Sequence, residues 1–384
     1  MIETLFAYAT LRLIWWVLLG VLLIGFAATD GFDMGVGALL PFVGKTDKER
    51  RVVINTVGPV WEGNQVWFIL GGGAIFSAWP ALYALSFSGF YLAMFLVLFS
   101  LILRPVGFKY RSKRESPTWR RNWDWALFVG GAVPALIFGV AVGNTLQGVP
   151  FHFTDDLRPI YEGNLFGLLN PLALYCGLVS LSMLVMHGAA WLAFKAEGVV
   201  ADRAAAIGWK AALIAAVLFA GGGLLTWAGL LGGYHVTSPI VWDGPSNPLG
   251  KTVVVDAHAW MQNFYAVPLL FVVPALGIAA PLLAAIGFRA RLAGSTFLIS
   301  MLAVACIIAT VGLAMFPFIL PSSTHPADAL MVFDASSSRA TLRNMLIATV
   351  IFLPIVLAYT GWVYKVLWGK VGEGTIENAG TTAY

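Results

Sequence analysis

The stretch GPVWEGNQVWFILGGGAIF, Gly58 to Phe76, decides how this chain is read. It places one carboxylate, Glu62, in a run otherwise apolar enough to cross a bilayer. The composition around it says what the solvent is. Of 384 residues, 59% are hydrophobic and only 11% charged, and the mean hydropathy is +0.82. A soluble domain carries about a quarter charged residues to cover its surface. With fewer than half that share, most of this chain must face lipid.

A membrane helix needs roughly 20 mainly apolar residues. Nine runs meet that requirement: Leu11–Leu40, Thr56–Trp79, Ala81–Leu103, Trp125–Thr145, Leu165–Phe194, Ala211–Leu231, Tyr265–Phe288, Thr296–Leu320 and Met345–Tyr364. Their length points to helices, because barrel strands alternate over about ten residues. The expectation is an all-α integral membrane protein, one domain over residues 1–384, with nine crossings. The first apolar run is too long for a cleavable signal peptide and lacks a basic flank, so none is expected.

Lysine and arginine set the orientation. The loops after the first, third, fifth and seventh spans, with the C-terminal tail, hold 18 of the 23 basic residues, from Lys45 to Lys370. The other side keeps 5, namely Arg12, Arg158, Lys251, Arg339 and Arg343. The expectation is therefore an outer N-terminus and a cytoplasmic C-terminus. The net charge of +4 reports topology and gives no reason to expect nucleic-acid binding.

Three carboxylates fall inside the spans: Asp30 and Asp33 in TDGFDMGVG, and Glu62. An ionised carboxylate near mid-bilayer costs about 2.5–3.5 kcal/mol on insertion scales, so each needs a partner or a role. At a rise of about 1.5 Å per residue, Glu62 and Asp33 lie about 9–10 Å from the cytoplasmic side and Asp30 about 15 Å. Asp30 and Asp33 are three apart and share a helix face. Two readings are open. The acids form a graded path for protons, or Asp30 and Asp33 pair with a nearby cation such as Arg104 or cap a broken helix.

Other features read more simply. Gly31 and Gly35, and the run Gly71–Gly73, suit close helix packing. Trp61 and Trp67 read as packing or interfacial residues. The basic loop RPVGFKYRSKRESPTWRR, Arg104 to Arg121, fits the cytoplasmic face and anionic headgroups. His152, His235, His258 and His325 fall in outer loops without metal-ligand spacing, and His187 alone lies within a span, where it reads as a structural hydrogen-bonding residue before a haem ligand. Cys176 and Cys306 form no disulfide or metal framework. There is no phosphate loop, zinc-protease motif or paired Cys-x-x-Cys. No catalytic, cofactor-binding or metal-binding residue is expected in this chain, so the chemistry falls to a partner.

Eight motifs in order carry a specific resemblance: TDGFDMGVGALLPF, INTVGPVWEGNQVW, FSGFYLAM, LRPVGFKYRSK, GNTLQGVPF, LLNP, AMFPFILPSS and FDASSSRATL. Together they resemble subunit II of the cytochrome bd quinol oxidases, from about Leu11 to the C-terminus. The resemblance implies nine transmembrane helices arranged as two four-helix bundles plus one. It implies a heterodimer with a subunit I that carries haem b558, haem b595 and haem d, accompanied by small single-helix accessory subunits, in a bacterial inner membrane. The complex would oxidise quinol, reduce oxygen to water with cytoplasmic protons, and serve as a terminal oxidase of the aerobic respiratory chain. A structural quinone in subunit II is also implied.

Residue by residue, the resemblance places Glu62 on the acidic position of a W-[DE]-G-N motif assigned to a proton route toward subunit I. It places Lys113 near that route's cytoplasmic mouth, Tyr384 at its entrance, and Trp67 beside an oxygen-access tunnel. Asp30 and Asp33 lie in a D-G-F-D motif and complete the expected proton-path set. Lys109 departs from the pattern: related chains can carry an aspartate there, and a cation repels incoming protons. The competing expectation from the intramembrane acids alone is a stand-alone proton-coupled transporter, which would work without a coloured haem-bearing partner.

Overall fold

The computed structural model describes residues 6–379. Helix α1 runs over Tyr8–Val43, α2 over Asp47–Val57, α3 over Trp61–Ala78, α4 over Pro80–Gly89, α5 over Tyr91–Leu101 and α6 over Leu103–Tyr110. There follow α7 at Pro117–Gln147, α8 at Leu165–Leu168, α9 at Pro171–Lys195 and α10 at Gly198–Trp227. The last five are α11 at Gln262–Ala266, α12 at Val272–Arg289, α13 at Ala293–Met315, α14 at Arg339–Val366 and α15 at Glu373–Ala379. Among the described residues, 8 helical stretches are long and apolar enough to cross a membrane. The chain is a multi-pass membrane protein. Nine crossings are expected from the apolar runs; the one outside these eight is α3, 18 residues long. Its first turns carry Glu62, Asn64 and Gln65, which offset the apolar remainder.

Local chemistry places the breaks. Expected as one span, Leu165–Phe194 divides because Asn170 caps α9, its side chain accepting from Ala173 N at 2.9 Å with Pro171 in the first helical position. Thr46 and Glu49 form a reciprocal capping box that starts α2 in the first basic loop. The third expected span does not stop at Leu103. Tyr91–Lys113 continues as one apolar helical stretch, which draws Arg104 out of the loop and into the helix.

Helix α9 is the hub, packed against α1, α7, α10 and α13, while α12 joins α10 and α13. These contacts require small residues. A Cβ on Gly35 of α1 would collide with the Leu184 carbonyl and lie 2.9 Å from Gly188 Cα on α9, so the two backbones touch directly. Gly37 of α1 meets Gly131 of α7 in the same way. A Cβ added at any of Gly71–Gly73, a run expected to pack, would meet nothing within 4 Å among the described residues. Helix α14 lies outside, against α1 and α3, with only 6% of its apolar window buried.

The outer loops are not purely irregular. Strands β1 (Phe151–Phe153) and β2 (Pro159–Tyr161), β3 (Gly233–Val236) and β4 (Val253–Asp256), and β5 (Phe318–Leu320) and β6 (Leu330–Met331) form three antiparallel pairs. They make a layer at one end of the bundle, which includes the start of α1: Arg12 donates to Ser336 Oγ at 2.7 Å and to Trp242 O at 2.7 Å. The opposite end gathers the end of α14, where Val371 N donates to Lys195 O at 2.7 Å. The described ends of the chain thus lie on opposite faces.

Candidate functional site

Asp30 and Asp33 project from one face of α1 and are buried, at 0% and 2% exposure. Helix α6 brings Arg104 against them. Its guanidinium forks onto Asp30, Nη2 to Oδ1 at 2.6 Å and Nη1 to Oδ2 at 3.0 Å, the bidentate geometry that makes such pairs strong. Arg104 Nη2 also lies 3.8 Å from Asp33 Oδ2. That oxygen accepts from Asn64 Nδ2 at 2.8 Å, and Asn64 Oδ1 accepts from Tyr364 Oη at 2.6 Å. The cluster therefore joins α1, α3, α6 and α14.

Two carboxylates share one cation here, so the cluster has one more acid than base. Asp33 Oδ1 is buried and has no hydrogen-bond partner among the described residues. Tyr364, at the other end of the chain of contacts, lines a cavity of about 370 Å³ with Trp191, Lys195, Trp368 and Lys370. A polar line thus runs from a cavity at the basic end of the bundle to a carboxylate oxygen that could hold a proton.

Glu62 is not part of that line. It lies in the first turn of α3, exposed on the outer surface of the chain, and makes no hydrogen bond or ion pair with a described residue. Its neighbours Trp61 and Asn64 are buried at 6% and 1%. Helical rotation sends Asn64 inward to Asp33 and leaves Glu62 facing out. The graded ladder of three acids is thus corrected to a buried pair and a separate outward acid. Asn64 and Tyr364 were missed, since neutral residues in helical runs raise no alarm in a sequence.

Lys113 is exposed in the turn that ends the third apolar stretch, and Lys109 is exposed in the last turn of α6. Trp67 is half-buried and packs on α1, where a Cβ on Gly25 would lie 3.0 Å from its ring. Tyr384 lies outside the described residues. Much of the basic face is neutralised internally. Arg111 pairs with Asp124 at 2.5 Å and Asp47 at 3.0 Å, Arg50 with Asp124 at 2.7 Å, and Arg120 with Asp47 at 2.7 Å.

His187 is fully buried, with Nδ1 at 2.8 Å from Ser300 Oγ and Nε2 at 3.0 Å from Ala28 O. A carbonyl only accepts, so Nε2 carries the proton and Nδ1 faces the hydroxyl. Both ring nitrogens are engaged, and the residue does not fit an axial haem ligand. Two other histidines do not stay scattered: the fold brings His152 and His325 together with Glu162.

The family model described as Cytochrome bd terminal oxidase subunit II matches residues 11–367. The chain belongs to this family. It is 51% identical over 370 residues to the probable cytochrome oxidase subunit 2 of Haemophilus influenzae, covering 96% of this chain and 97% of that one. It is 50% identical to the cytochrome bd-I ubiquinol oxidase subunit 2 of Escherichia coli K12, again over 96% and 97% of the two chains. The bd oxidase structure from Geobacillus thermodenitrificans superposes with a TM-score of 0.67 at 15% identity, covering 93% of this chain and 98% of that one; this last likeness concerns the fold. The subunit is thus one part of a terminal oxidase.

Proposed function

We propose that this subunit serves a quinol:oxygen oxidoreductase by completing the assembly and delivering protons sideways to a haem-bearing subunit I. In this reading haem b558, haem b595 and haem d are all held by the partner, where oxygen is reduced, and single-helix accessory subunits complete the complex. The membrane is the bacterial inner membrane. Helix α3 is the ninth crossing, the bundle is two groups of four with α14 as the extra helix, and the strand layer faces outward. Trp67 borders an oxygen-access path, and a structural quinone occupies the apolar surface.

The observation that carries the proton reading is Glu62. A carboxylate on the exposed side of a membrane helix is costly in lipid, and no described residue of this chain partners it. A second subunit covering α3 gives it one. Lys113 and Tyr384 belong to the cytoplasmic mouth of the route, and the Tyr364–Asn64–Asp33 line to a branch that ends beside Asp30.

The test is Glu62→Gln in the intact complex. The expected result is oxygen uptake lowered about a hundredfold or more, within the 10²–10⁴-fold that positioned proton transfer contributes, with normal haem absorption. Uptake equal to the parent from mildly acid to mildly alkaline pH would remove Glu62 from the proton route. A colourless preparation active in proton-coupled transport would instead favour a stand-alone carrier.

A further inference from the structure

The strand layer holds a side-chain cluster that the oxidase reading does not use. His152 lies in β1, Glu162 immediately follows β2, and His325 lies in the segment between β5 and β6. One ligand atom from each can be chosen so that all three lie within 4.8 Å of one another. The two imidazole rings stand 5.1 Å apart between centroids, tilted by 50°. His152 and His325 are 173 positions apart in the sequence, so no spacing rule could pair them.

The fold holds these groups in place from both sides. The hairpin sets His152 opposite Ile160 and Phe151 opposite Tyr161, and Glu162 N donates to Pro150 O at 2.9 Å. The 322–328 segment is tied to the same hairpin. Ser322 Oγ and Thr324 Oγ1 both reach Phe151 O, and Phe153 N donates to Asp328 Oδ2 at 2.8 Å. His325 N donates to Ser322 Oγ at 3.1 Å.

His152 Nδ1 is the informative atom. It is buried and 2.9 Å from Glu162 Oε1, an ion-pair contact when the ring is protonated, and it makes no hydrogen bond with a described residue. With the ring neutral and its proton on Nε2, two acceptor atoms stand this close together, an arrangement that a shared cation relieves. A tetrahedral ion with bonds of about 2.0–2.2 Å separates its ligand atoms by about 3.3–3.6 Å, so a small opening of the His152–Glu162 pair would admit one. Glu162 and His325 are exposed, so an ion can arrive from solvent and keep water in its open position.

We infer that His152, Glu162 and His325 form a binding site for a divalent transition-metal ion of the zinc class on the strand layer. Two imidazoles and one carboxylate are a donor set of the kind zinc takes with water as the fourth ligand. The ion would tie the hairpin after α7 to the segment that leads into α14.

The test uses the tag-free oxidase complex, stripped with a chelator and titrated with Zn²⁺ against a chromophoric competitor. The expected result is one zinc site per complex that weakens by more than tenfold in His325→Ala and in His152→Ala, a loss at least as large as outer-shell changes cause. Oxygen uptake without zinc should stay at the parental level in both variants. Titration of the parent complex with Co²⁺ serves as a second readout that needs no variant, and should give the visible absorption of a four-coordinate site. The inference is overturned if the parent takes up no zinc at micromolar concentration, if the variants bind it as tightly as the parent, or if cobalt gives only its six-coordinate aqueous spectrum.

Discussion

Arg104 neutralises Asp30 by a two-pronged contact and reaches toward Asp33, in a pocket where all three are essentially dry. Removing one member of a buried pair costs about 3–5 kcal/mol, because the remaining charge is stranded. Arg104→Met is therefore expected to prevent accumulation of a haem-bearing complex, read from membrane absorption spectra. The double change Arg104→Met with Asp30→Leu should recover part of it. Parental yields in the single variant would show that the pair is dispensable. Tyr364→Phe is milder: Asn64 Oδ1 loses its donor, which costs about 1–3 kcal/mol. A lowered Tm with intact haem content is expected, and an unchanged Tm would mean that water replaces the phenol. The charged members of this cluster were visible in the sequence because Asp30 and Asp33 interrupt an apolar run. Arg104 was named as a partner, although the same charge made it look like the start of a loop. Asn64 and Tyr364 carry no such contrast, and only helix rotation shows that Asn64 points in while Glu62 points out.

Among the helices, the close contact of α1 and α9 depends on two residues without side chains. Gly188→Ala places a methyl within 2.6 Å of Gly35 Cα. Overpacking of this kind costs about 1–3 kcal/mol. Reduced thermal stability of the complex is expected, measured as the temperature of half-inactivation of oxygen uptake. Gly72→Ala on α3 is the contrast, since the added methyl would meet nothing within 4 Å among the described residues. It should be neutral, or stabilising by about 0.5–1 kcal/mol through helix preference, unless the partner subunit packs on that surface. Length and hydropathy made the long apolar helices legible, and the Asn170–Pro171 cap could have placed the break before α9. What composition could not distinguish was the mixed opening of α3, whose polar residues serve both an interior network and an outer face. The strand layer was invisible for a related reason: its pairs are two to four residues long and depend on contacts distant in sequence.

For the molecule as a whole, the two ends differ in kind. One end is a strand layer, and the other is a surface of arginines clasped by acids. Glu49 shows how that second surface responds to acid. Burial alone would raise its carboxyl, but the backbone N–H groups of Lys45 and Thr46 and the Arg203 guanidinium at 2.6 Å together hold it below its ordinary value. A depressed folded pKa gives stability that is complete above the unfolded value of about 4.3 and is lost as pH falls through the folded one. The Glu49→Gln complex should therefore melt below the parent at pH 7, with the gap closing on acidification through the Glu49 titration. A gap that persists under strong acid would assign the loss to packing.

Helix α14 touches its own chain mainly near its ends, through Trp15 Nε1 on Leu342 O at 2.9 Å and Tyr364 on Asn64, and leaves its middle bare. A copy made without its companion would keep this rod as a loose flap, and lifting it would uncover Asn64 and Asp33 to hydrocarbon. Orphaned copies would then be marked by their own instability, and the cell could clear them before a one-sided surplus built up.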